Sequence, residues 1–162
     1  PMSKKPVQFN LNGETKAVFV EDGQNLLAVL RRGIGDLSPK YCCGQGTCGA
    51  FTVLIDGEPH LSCLTLAETV EGRSLSSTGG LAQGAGLHPL QDAFMRHFAA
   101  QCGFCTSGML MAAKSLLDRN PNPSRDEVVE AISGNICRCT GYDPIIEAIL
   151  DAAQRGAGRR SA

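Results

Sequence analysis

Tyr41-Cys42-Cys43-Gly44-Gln45-Gly46-Thr47-Cys48-Gly49-Ala50-Phe51 is the stretch on which the fold turns, because it supports two incompatible readings. Gly44, Gly46 and Gly49 spell G-x-G-x-x-G, the fingerprint of a dinucleotide-binding turn. Such a turn follows a strand and opens a helix. Here the order is reversed. Asn25 to Arg32 carries Leu26, Leu27, Val29 and Leu30 at helical spacing and ends at Gly33, while Phe51 to Ile55 is a short apolar run suited to a strand. The dinucleotide reading fails, and the glycines belong to a cysteine-rich loop over residues 41–49.

Working outward, the first half reads as strands and turns. Val7 to Leu11 alternates, Asn12-Gly13 is a two-residue hairpin turn, and Ala17 to Val20 returns. Asp56-Gly57 turns the strand that ends at Ile55. Leu61 to Val70 leads through a short helix to a last strand near Ser74 to Thr78. Hairpin, helix and returning strands over residues 5–78 predict a β-grasp-like domain. Residues 79–87, rich in glycine and free of charge, read as a linker. Residues 88–153 then read as four helices. His88-Pro89 opens the first, which runs through Leu90, Phe94, Met95 and Phe98. Met109 to Leu117 is the second, and Ser124 with Glu127 forms a capping box for the third. Asp143-Pro144 starts the fourth, and residues 154–162 read as a flexible tail. The fold class is α+β, with two domains.

The chain has 162 residues, 43% of them hydrophobic, and a formal net charge of −1. A balanced charge gives no footprint for nucleic acid, and no apolar run approaches the roughly 20 residues that cross a bilayer. Pro1 to Pro6 has no apolar stretch behind it, so no secretory signal is expected and the expected compartment is the cytosol. There, eight cysteines point to metal or redox work rather than to disulfides. His60, His88 and His97 have no partners in the sequence that suggest a base or a ligand.

The cysteines fall four to each domain, and four thiolates are what a [2Fe–2S] cluster needs. Cys102, Cys105, Cys137 and Cys139 form the second set, in C-x2-C and C-x-C spacing, with the first pair at a helix entrance that favours thiolate charge. Structural zinc more often uses C-x2-C at both ends, and remains the alternative. In the first set, Cys43 and Cys48 have the C-x4-C spacing of plant-type loops, and Cys63 suits a distal ligand. The third cysteine of such a loop falls at Phe51, which cannot bind iron. Cys42 is the nearest spare thiol and is inferred to supply the missing ligand; the alternative is an idle Cys42. Gly44, Gly46 and Gly49 let backbone amides crowd around the cluster sulfurs.

With these residues in view, the sequence resembles the small iron–sulfur subunits of the xanthine oxidase family of molybdenum hydroxylases. Its most specific stretches are Gln101-Cys102-Gly103-Phe104-Cys105-Thr106 and Gly134-Asn135-Ile136-Cys137-Arg138-Cys139-Thr140-Gly141-Tyr142. The resemblance implies two [2Fe–2S] clusters, one per domain, in a chain that relays electrons and does no bond chemistry itself. It implies a large partner subunit holding molybdopterin, in a dinucleotide form, which Gln101 and Cys139 contact. It also implies a flavin-binding (FAD) medium subunit, or a haem-bearing cytochrome, facing the first cluster. Phe51 and Ser107, the latter standing where the family has proline, depart from the pattern. A freestanding two-cluster carrier and a zinc-stabilised interaction protein are the rival readings.

Overall fold

The computed structural model of the chain describes residues 4–157, apart from 83 and 85. Its first half is a five-stranded sheet in the order β2-β1-β5-β3-β4. β1 (Lys4–Leu11) and β2 (Glu14–Glu21) pair antiparallel through Asn12-Gly13, both residues at positive φ, the geometry whose twist suits a tight hairpin. β3 (Thr52–Ile55) and β4 (Glu58–Leu61) do the same through Asp56-Gly57. Sequence reading passes over β4 because Glu58-Pro59-His60 shows no apolar alternation. It is an edge strand, where proline is tolerated. β5 (Ser74–Ser76) runs parallel to β1 and antiparallel to β3, joining the two hairpins into a β-grasp sheet.

α1 (Leu26–Ala28) continues without a break into π-type turns over Val29–Ile34. The Asn25 side chain caps it, accepting the Ala28 N–H at 2.8 Å. The helical segment ends at Gly35, not at the expected Gly33. A left-handed residue is what stops a helix, and Gly35 has φ 87° while Gly33 does not.

Every residue of β3 is buried, and its alternating side chains feed two different cores. Val53 and Ile55 pack with Val7, Phe9, Leu30 and Leu75 between sheet and α1. Leu54 faces the other way and joins the helical core. Each such side chain contributes about 1.5–3 kcal/mol on burial. The sheet is therefore covered on both faces, and the helical half is welded to it rather than tethered.

Four helices build that second half: α2 (Pro89–Arg96), α3 (Thr106–Arg119), α4 (Arg125–Ile132) and α5 (Asp143–Ala157). α3 lies centrally, burying Met109, Met111 and Ala113. The capping box of Ser124 and Glu127 opens α4. α2 ends at Arg96, before Phe98, whose φ is 51°; Met95 and Phe98 face outward, 68% and 82% exposed, instead of joining the apolar face. The start of the expected linker is fastened, since Leu81 packs into the helical core. α5 runs through Ala157, four residues into the expected tail, and 158–162 lie outside the described residues.

His88 caps α2, its Nδ1 accepting the Leu90 N–H at 3.2 Å while Gln91 reaches back to the His88 N–H. Burial, and then the positive charge of Lys114, hold its pKa below 6.5. The folded state thus binds this proton less readily than the unfolded chain. The stabilisation is complete above 6.5 and is lost as pH falls through the depressed folded value. His88→Asn keeps a capping acceptor and removes the titration. Thermal midpoints measured from neutral pH to about pH 5 are expected to fall more steeply for the wild type than for this variant. Parallel curves would refute that role.

Candidate metal centres

Cys102, Cys105, Cys137 and Cys139 meet where the entrance of α3 faces the loop between α4 and α5. Cys139 Sγ lies 3.6 Å from Cys102 Sγ, and Cys105 is within hydrogen-bonding reach of Cys137. The thiols therefore meet two by two. Cys102 and Cys139 are exposed, whereas Cys105 and Cys137 are buried. Two thiols per metal suits a two-iron centre with four cysteine ligands. Among the described residues, no three cysteine, histidine or acidic groups are arranged to hold a metal ion together.

The loop that presents the second pair is closed on itself. The Tyr142 hydroxyl accepts the Cys137 N–H at 2.9 Å, and Thr140 Oγ1 sits 3.1 Å from Cys137 Sγ. Tyr142 holds φ 72° to do so. Burial works to raise the Cys137 pKa, but the Thr140 hydroxyl and amide and the Cys139 amide together bring it below its usual value. Cys105 goes the other way: burial, then Cys137 and Cys102, push it up to about 12. The expected benefit of the helix entrance does not prevail there. A helix terminus is worth about 0.3–1 kcal/mol to a nearby charge, too little against desolvation beside other thiols. A group this crowded carries four thiolates only around a strongly charged cation, which a pair of ferric ions supplies. The Thr106 hydroxyl next to Cys105 is also buried without a partner among the described residues, a donor left over for a sulfur-rich group. The donors fit the cluster.

In the first half, Cys43, Cys48 and Cys63 converge with Cys42. Cys48 is within hydrogen-bonding reach of both Cys43 and Cys42. Cys63 receives the Gly46 N–H and is close enough to Cys43 to feel its charge. Burial raises Cys48 and Cys63. The Thr47 hydroxyl, aided by the Gln45 and Cys48 amides and the Cys48 thiol, lowers Cys43 to about 6 despite some burial. Phe51 is completely buried and packs with Leu27, Ala50, Cys48 and Cys63 as one wall of the site. The loop glycines have different tasks. The Gly46 amide reaches the Cys63 thiol. Gly49 allows a close approach: a Cβ there would stand 2.5 Å from the Gly134 carbonyl oxygen and 2.6 Å from Asn135 Nδ2.

That approach brings the two sites together. The Ile136 N–H donates to the Cys48 carbonyl at 3.0 Å, so neighbours of one ligand set bond directly to a member of the other. Asn135, 5% exposed, donates to the Gly49 carbonyl at 2.9 Å. The sequence offers no task for Asn135, since its partner Gly49 lies 86 positions away; the one local signal is a polar amide next to Gly134, two residues before a cysteine pair. Ser107 reaches the same loop, its hydroxyl donating to the Ala50 carbonyl at 3.4 Å, while its own carbonyl accepts from Thr78 Oγ1 at 3.0 Å. Gln101 is exposed next to Cys102, on the side of the second site where Cys139 also reaches the surface. His97 bonds Asp151, which Arg96 and Arg155 also hold, and so ties α2 to α5.

Comparison with known proteins agrees with this arrangement. Residues 9–82 match the 2Fe-2S iron-sulfur cluster binding domain, and residues 69–150 match the [2Fe-2S] binding domain. The nicotine 6-hydroxylase small subunit of Paenarthrobacter nicotinovorans is 48% identical over 94% of this chain and 92% of its own length. The nicotinate dehydrogenase small FeS subunit of Eubacterium barkeri is 41% identical over 95% and 98%. A chain in the crystal structure of quinoline 2-oxidoreductase from Pseudomonas putida 86 superposes with a TM-score of 0.92 at 51% identity, covering 98% of each chain. With two successive [2Fe–2S] binding domains and relatives aligned over nearly the whole length, the chain belongs to the family of small [2Fe–2S] subunits of the molybdenum hydroxylases.

Proposed function

We propose that the chain relays single electrons from a molybdopterin centre on a large partner subunit to a flavin or haem partner. When bound, [2Fe–2S] clusters supply one-electron redox chemistry at potentials tuned by charge, hydrogen bonds and exposure. The chain's own task is to fix two such sites in one rigid body. The observation that carries the reading is the hydrogen bond from Ile136 N–H to the Cys48 carbonyl. Cys137 follows Ile136, so a path of covalent bonds with one hydrogen bond runs from a sulfur of one site to a sulfur of the other.

The exposed pair, Cys102 and Cys139 with Gln101, offers the second site to a partner. By this reading Gln101 and Cys139 contact the pterin, in its dinucleotide form, while Cys105 and Cys137 stay buried toward the protein. Phe104 and Ile136, 45% and 55% exposed beside the ligand cysteines, give that face the apolar area an interface uses. Two [2Fe–2S] clusters, molybdopterin on the large subunit, and FAD or haem on the other partner complete the set.

The native complex tests this. Reduction is expected to bring up two distinct EPR signals of equal spin from this chain. Size-exclusion with metal and cofactor analysis is expected to find molybdenum and either flavin or haem travelling with it. A chain that migrates alone would favour the freestanding carrier, and a colourless protein that holds zinc would favour the interaction protein. Either result overturns the proposal.

A further inference from the structure

We infer that Cys42 supplies the fourth thiolate of the first site, replacing the sulfur that Phe51 removes. This rests on reading the first half as a [2Fe–2S] site and adds how that site is completed. Phe51 has no route to the metal. Its ring is 0% exposed, and its carbonyl is fixed by the Ser62 hydroxyl at 2.7 Å and the Ser62 N–H at 3.4 Å. The site therefore has a rigid apolar wall where plant-type spacing puts a ligand.

Cys42 stands on the opposite footing. It is exposed, and it lies in a stretch that is neither helix nor strand. Neighbouring side chains of an extended chain point to opposite sides. Cys42 and Cys43 nonetheless both reach Cys48, because the backbone turns there, with Gly44 at φ 66° and Gly46 at φ 82°. Cys63 closes the set from across the loop, on the Gly46 amide and near Cys43. Cys48 thus has the thiols of both Cys42 and Cys43 within reach, and Cys63 lies near Cys43. Thr47, whose hydroxyl already serves Cys43, is the other group near enough to compete.

The test uses the holo complex and reads iron and spectra rather than turnover. Alanine is chosen at position 42 because a serine oxygen can still bind iron. Cys42→Ala is expected to lower iron by half and to abolish one EPR signal, leaving the signal of the Cys102, Cys105, Cys137 and Cys139 site as an internal reference. Adding Phe51→Cys to Cys42→Ala returns a sulfur at plant-type spacing and is expected to restore both the iron and the signal. Unchanged iron and signals in Cys42→Ala would overturn the inference. So would a loss that Phe51→Cys does not repair, which marks Cys42 as a structural residue. If wild-type complex itself holds only one cluster or none, the functional reading fails instead.

Discussion

Gly108→Val is expected to destabilise the chain by at least about 3 kcal/mol, although valine at an exposed helix site is no worse than glycine. Gly108 sits in the first turns of α3, where the helix crosses the cluster loop of the sheet half. A Cβ on it would fall well inside contact with the Gly49 carbonyl oxygen, and 2.7 Å from Asn135 Nδ2. That oxygen cannot step aside. It accepts from Thr52 N–H at 3.0 Å, Thr52 Oγ1 at 2.7 Å and Asn135 Nδ2 at 2.9 Å. Overpacking costs about 1–3 kcal/mol where neighbours can relax, and more where they cannot. Helix propensity returns less than about 1 kcal/mol. The steric term wins.

At this chain length each kcal/mol moves the thermal midpoint by roughly 2–4 °C, so a fall near 10 °C is expected. Gly134→Ala is the control. Gly134 is a close neighbour of the same contact, but its added Cβ would meet nothing within 4 Å, and no shift is expected there. Equal stability of Gly108→Val and wild type would show that the two halves are not packed as described.

What sequence could and could not reveal follows from the range of each interaction. Turns at Asn12-Gly13 and Asp56-Gly57 and the cap at Ser124 are local, and their residue types announce them. The cysteines divide four and four along the chain, and the second set carries its own spacing. β4 escaped because an edge strand with Pro59 needs no pattern of its own. Two glycines stood at the end of the first helix, and nothing local favoured Gly35 over Gly33. The deepest omission was the weld between the halves. Asn135 meets Gly49 across 86 positions of sequence, and Ser107, marked only as a departure from the family, bonds the carbonyl of the adjacent Ala50. A run of glycines reads as slack until a second surface is seen pressing on it.

Cys137→Ala carries the other large effect, and here the loss is of metal. Two clusters hold about four irons per chain, and this variant is expected to keep about two, with one EPR signal gone and the other unchanged. The helical half contains four cysteines, Cys102, Cys105, Cys137 and Cys139, so this variant leaves three and no fifth thiol there to replace the one removed. Thr140 reaches the vacated position, with Oγ1 3.1 Å from Cys137 Sγ, but a neutral hydroxyl is a poor substitute for thiolate on iron. The loop itself has no reason to collapse. Tyr142 bonds the backbone N–H of Cys137, not its sulfur, and the Ile136 bond to the Cys48 carbonyl is likewise main-chain on both sides. Alanine keeps both, so the first site retains its neighbour and its spectrum. Loss of both signals together would mean that the second cluster holds the two halves in register, and that the main-chain contacts alone do not.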